Sequence, residues 1–242
     1  MVQLDILITL NFIFSFSLLL VALFTKRISK IAFFPRLLLV STIFGLLVNF
    51  YTTQRILIKG TEFDGILIRY ISDFTLVFGT TGLAIYFITF ILLNAIHTLI
   101  VAKGNTRIAE VAARFTLDSL PGRLIAIDAE LEAGAITEEK ASLRVEELWL
   151  ESDLLRTLDG MRKLIIWNVK IEIIITTINI LVGILLGTLL RNEALNDAIE
   201  TYTSLAIGSG VFYMLPTGMV AVAMGIIVTK EARGDMDGNK LP

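Results

Sequence analysis

The sequence has no cysteine and only one histidine, His97. A disulfide framework and a thiolate metal site are thereby excluded, and redox chemistry gives no information on compartment. One imidazole is a poor start for a metal centre, and no spacing of His, Asp or Glu makes up for it. Phosphate-binding glycine loops, nucleophile elbows and paired catalytic carboxylates are also missing, so neither an enzyme activity nor a bound cofactor is expected. No nucleic-acid partner is expected either. Alternation of period two, which a membrane barrel requires, is absent. Met1 to Asp5 carries no Lys or Arg, and the apolar run behind it is too long for a cleaved signal peptide.

What the chain does have is apolar length. Its 242 residues are 55% hydrophobic and 18% charged, with a mean hydropathy of +0.77, too apolar for a soluble domain of this size. Lipid is the expected solvent. Crossing a hydrocarbon core takes about 20 apolar residues, and spanning segments that cannot form a barrel must be helices because lipid satisfies no backbone polar group. The expectation is an all-α polytopic membrane protein of about five transmembrane helices with a helical cytoplasmic insert. The spans fall near residues 6–24, 37–58, 74–101, 171–190 and 202–228. The organisation is then three spans in 1–102, an insert in 103–170, two spans in 171–228 and a polar tail in 229–242.

The insert carries charges every few residues and is punctuated by Gly104, Pro121–Gly122 and Gly134. Ile108, Val111, Ala112 and Phe115 have helical spacing, and the helix they define is expected to stop at Pro121. A second helix starts at Thr137, an N-cap residue followed by Glu138 and Glu139, where the helix dipole favours anions. Leu154, Leu155, Leu158 and Met161 continue an apolar stripe that packs the insert together or against the membrane surface.

Lys and Arg set the orientation. Seventeen of the 21 fall on one side, in the segment after span one, in the insert and in the tail. Arg55, Lys59, Arg69 and Arg191 are on the other. The insert and C-terminus are therefore expected in the cytoplasm and the N-terminus outside, in a bacterial inner membrane.

The insert also contains the stretch RIAEVAARFTLDSLPGRLIAIDAELEAG, which starts at Arg107 and ends at Gly134. It resembles the signature of the FHIPEP family, the export-gate proteins of flagellar and virulence type III secretion systems (FlhA and SctV types). The resemblance rests on Arg107, Glu110, Arg114, Phe115, Asp118, Pro121, Gly122 and Asp128, and it extends to Asp159, Gly160 and Lys163. It implies an integral membrane component of a protein export apparatus, with other export-apparatus membrane subunits as partners and a homo-oligomeric ring as its assembly. Set in the family's register, the five spans look like its second to sixth. The chain then reads as a shortened, diverged member without the first span, the last two and the C-terminal cytoplasmic docking domain.

The resemblance also implies coupling to the proton-motive force, yet the ionisable groups that would serve it have changed. Where the family has an Arg-Gly-Asp run, this chain reads Ile166-Trp167-Asn168, so an amide, Asn168, holds the position of the relay aspartate. Gly45 replaces an arginine, and Ser209 replaces an aspartate. Amides and hydroxyls do not titrate near neutral pH, so proton coupling is not expected of this chain alone. Lys170 and Glu172 are expected to snorkel to the membrane interface. His97 is expected to make a structural hydrogen bond across helices. Asp118 and Asp128 read as capping and ion-pairing groups of the insert. Gly183 and Gly187 permit close helix approach, and Pro216 should bend span five. Two other functions fit the same residues: an assembly or regulatory partner of a full-length paralogue, and a small secondary transporter.

Overall fold

The computed structural model describes residues 2–25, 33–75, 82–101 and 106–238, with the side chains of most of them. Among the described residues seven α-helices follow in order: α1 (Val2–Phe24), α2 (Phe34–Lys59), α3 (Ile66–Thr75), α4 (Gly82–Thr98), α5 (Thr106–Glu132), α6 (Glu138–Leu190) and α7 (Leu195–Gly238). No strand occurs among the described residues. Stretches of α1, α2, α6 and α7 are long and apolar enough to cross a membrane, and a shorter apolar helix lies within 90–101.

The helices are amphipathic in the membrane sense. On α1, Ile6, Leu10, Ile13 and Phe16 are exposed, whereas Asn11 and Ser15 are buried beside Ile8 and Leu18. Spacings of three and four put the second set on one face, and that face meets α2 and α7. The exposed apolar faces suit lipid, which gains nothing from hiding them. α7 contacts each of the other six helices and forms the bundle axis.

Three predicted boundaries move. The loop expected over 59–73 contains α3, whose buried Ile68 and Ser72 face α7 near Gly208. Pro121 does not end a helix, because α5 runs through it to Glu132. A proline removes one backbone hydrogen bond and costs about 3 kcal/mol. Leu120, Leu124, Ile127 and Leu131 continue one apolar stripe across that position against Ala141, Val145 and Leu148 of α6. Packing on both sides of the proline offsets the loss. The expected helical face of Ile108, Val111, Ala112 and Phe115 lies outside the described side chains.

The third shift concerns the insert. Thr137 caps α6 as expected, accepting from the Lys140 backbone N–H at 3.4 Å. The helix then passes without a break through position 170 and ends 53 residues later, about 80 Å at 1.5 Å per residue. Leu154, Leu155, Leu158 and Met161 do not pack the insert onto itself. They share a core with Leu18 and Ala22 of α1, Phe34 and Leu38 of α2, and Val220 and Met224 of α7. The bundle therefore begins well before residue 171.

Both ends of the bundle are tied by polar contacts. At one end Arg191 donates to the carbonyls of Leu57 and Ile58 at 2.6 and 2.5 Å. The Asp5 carboxylate there accepts from the Ile66 and Leu67 backbone N–H groups, at 3.3 and 3.1 Å. Gly60, which ends α2 at φ +55°, has no room for a Cβ because Arg191 and Tyr202 press against it. At the opposite end Lys230 meets the last carbonyls of α1. The ends of the helices thus sort into the same two groups as the charge asymmetry.

Candidate functional site

Four helices of the bundle, α1, α2, α6 and α7, each carry a polar interruption, and the interruptions share one level. One apolar cluster holds Leu18, Leu38, Ile165 and Val220. The other holds Ile8, Val48, Leu205 and Phe212. Between them α1 supplies Asn11 and Ser15, α2 supplies Ser41, Thr42 and Gly45, α6 supplies Asn168 and Glu172, and α7 supplies Tyr213 and Thr217. These residues line one cavity. Helical repeats of three and four residues put each set on the inward face of its helix.

Glu172 is 7% exposed. The Thr217 hydroxyl donates to Oε1 of Glu172, and Nδ2 of Asn168 donates to the same hydroxyl at 3.3 Å. One threonine thus links the Asn168 amide to a carboxylate one helical turn away. This overturns the expected snorkelling of Glu172. Lys170 does stay exposed, with Nζ 5.0 Å from the centroid of the Trp167 ring. The reason lies in the length of α6. Because the bundle starts near residue 152, Glu172 sits between two apolar clusters and faces inward, while Lys170 faces out.

Further inward-facing polar residues extend the layer. Ser15 and Ser41 share a hydrogen bond of 3.1 Å, as do Thr52 and Tyr213 at 2.6 Å. Asn179 Nδ2 donates to Thr53 Oγ1 at 3.3 Å. Both amide atoms of Asn11 and the Oδ1 of Asn168 are buried with no partner. Of these residues the sequence alone points to Asn168 and Glu172, and it gives no comparable prominence to Asn11, Ser15, Thr52, Tyr213 and Thr217. Their signal was a polar residue recurring at helical spacing within an apolar run.

None of the signature residues lines this cavity. Arg107, Glu110 and Phe115 lie outside the described side chains. Arg114, Asp118, Pro121, Gly122 and Asp128 are exposed along α5, and Gly160 and Lys163 are exposed on α6. Asp159 pairs with Arg162, Oδ1 to Nε, at 3.1 Å. Asp118 and Asp128 cap nothing, since α5 continues past both. His97 of α4 hydrogen-bonds the Met214 backbone of α7, and its Nε2 has no partner. Gly183 and Gly187 receive the buried Tyr202 ring, and a Cβ on Gly187 would stand 2.6 Å from its Cε2. No cluster of three or more metal-ligating side chains occurs among the described residues.

Residues 1–241 match the FHIPEP family. A flagellar biosynthesis protein FlhA from Borreliella burgdorferi is 42% identical over 241 residues, covering 99% of this chain and 35% of that protein. The protein of the same name from Treponema pallidum is 44% identical over 230 residues, covering 95% of this chain and 32% of the relative. That of Escherichia coli is 37% identical over 238 residues, covering 98% and 34%. The chain spans about a third of the length of the curated relatives it matches. No solved structure matches it.

Proposed function

Since the chain belongs to the FHIPEP family, we propose that it is a membrane component of a flagellar protein export apparatus with a structural or gate role and no catalysis of its own. The observation that carries this reading is the match along 1–241 to relatives named for flagellar biosynthesis. In the proposed arrangement the chain sits in the bacterial inner membrane with its N-terminus outside and the α5–α6 hairpin in the cytoplasm. Arg114, Asp118 and Asp128 project from that hairpin and serve as contacts to other subunits of the apparatus. Lipid covers the apolar faces of α1, α2 and α6, and copies of the chain assemble into a ring.

The double substitution Arg114→Ala, Asp118→Ala tests the contact. It should weaken co-purification with the other export-apparatus membrane subunits and leave membrane insertion intact, because both side chains are exposed. Co-purification at the unsubstituted level would reduce the signature to an internal determinant of the hairpin. A second reading is that the chain assists a full-length paralogue, and the amide at Asn168 with the glycine at Gly45 favours it. Expression as the sole family member in a strain without its own gate protein separates the two. Restored export supports the first reading, and export only beside the paralogue supports the second.

A further inference from the structure

The cavity at Glu172 holds an acid with no base beside it. None of the described Lys or Arg side chains forms an ion pair with Glu172. Neutral side chains surround it: Asn11 and Ser15 from α1, Ser41 and Thr42 from α2, Asn168 from α6 and Thr217 from α7. Tyr213 is the other titratable group lining the cavity, and its hydroxyl is engaged with Thr52. An ionised carboxylate inside a membrane bundle is costly and marks a functional position. Among the described residues no cationic side chain pairs with Glu172, and a proton can balance it by forming the neutral acid.

The vacant hydrogen-bonding sites say what else the cavity takes. Asn11 offers both an unpaired acceptor and an unpaired donor, and Asn168 offers an unpaired acceptor. A bare metal cation would use the acceptors and be repelled by the amide donor, whereas water uses both. The space present amounts to roughly one water molecule, and a buried water needs two to four polar partners. Gly45 is part of this space, since a Cβ there would already stand 3.3 Å from Asn11 Oδ1.

We propose that Glu172 is a proton-exchange site, taking up and releasing a proton through a water molecule held by Asn11 and Asn168. The step is the binding of one proton to the carboxylate to give the neutral acid, and its return to the same water. The Asn168 amide cannot titrate, so it holds the water while the carboxylate one turn further on carries the proton. Thr217 is a positioning residue, since its hydroxyl accepts from Asn168 and donates to Glu172.

Infrared difference spectroscopy of the full chain in lipid nanodiscs tests this directly and does not depend on protein export. A carboxylic-acid C=O band should appear and vanish reversibly with pH, and Glu172→Gln should abolish it. Thr217→Val keeps the carboxyl group and removes its donor, so it should move the band and the pH of its midpoint even if Glu172→Gln does not fold. Sodium added at fixed pH should leave the band unchanged. A band that survives Glu172→Gln, a band indifferent to Thr217→Val, or one displaced by sodium would each overturn the proposal.

Discussion

Lys230 Nζ, far along α7, donates to the carbonyl oxygen of Ala22 in the last turn of α1 at 2.9 Å. The same ammonium reaches Leu23 O at 2.5 Å and Thr25 O at 3.0 Å. The last carbonyls of a helix have no partner within it, and a cation there also opposes the negative end of the helix dipole. Lys230→Met keeps the apolar stem and removes the donor. It should destabilise the bundle by about 1 kcal/mol, read as a lower unfolding midpoint in detergent. An unchanged midpoint would mean that water caps α1 equally well.

Two glycines of α6 should respond in opposite directions. A Cβ on Gly183 would drive into the Tyr202 ring, whereas a Cβ on Gly160 meets nothing within 4 Å. Gly183→Ala should destabilise by about 1–3 kcal/mol through overpacking. Gly160→Ala should stabilise by up to about 1 kcal/mol, because alanine is the better helix former. Thermal unfolding of both variants in the same detergent checks the sign, and a loss at Gly160 would contradict the open surroundings seen there.

Arg55 Nη2 meets Asp64 with both carboxylate oxygens at 2.7 Å. Burial pushes the Asp64 carboxyl up, but the hydrogen bond and charge of Arg55 outweigh it and hold it below the usual carboxylate value. A group whose pKa is depressed on folding adds stability above its unfolded value, and that stability is lost as pH falls through the folded one. The contribution should be present at neutral pH and disappear below about pH 4. Asp64→Asn should lower stability at pH 7 and flatten the acid limb of the stability curve. An acid limb identical in the two proteins would show that the pair carries no linked proton.

Thr61 and Ser142 are both exposed, one at each end of the proposed topology. In intact cells a membrane-impermeant thiol reagent should label Thr61→Cys and spare Ser142→Cys, and permeabilised cells should label both. The absence of native cysteine keeps the background low. Reversed labelling would invert the protein in its membrane.

Most of the bundle was legible in the sequence because its causes are local. A run of some 20 apolar residues must be a helix in lipid, whatever it packs against. Lys and Arg sort the loops by side without reference to packing, and the hydrogen bonds of Asp5, Arg191 and Lys230 group the helix ends in the same way. The family resemblance was carried by the order of side chains from Arg107 to Lys163, which needs no coordinates. Partnerships between distant segments were not legible. Pro121 reads as a stop, and α5 continues because Leu124, Ile127 and Leu131 find α6 beyond it. Lys170 and Glu172 look alike at the edge of an apolar run, yet two positions on a helix differ by about 200°. One therefore lies exposed beside Trp167, and the other points into a cavity completed by α1, α2 and α7. Sequence fixes which residues share a helical face, but how far α6 runs inside the bundle, and so which of its charges is buried, depends on the three helices packed around it.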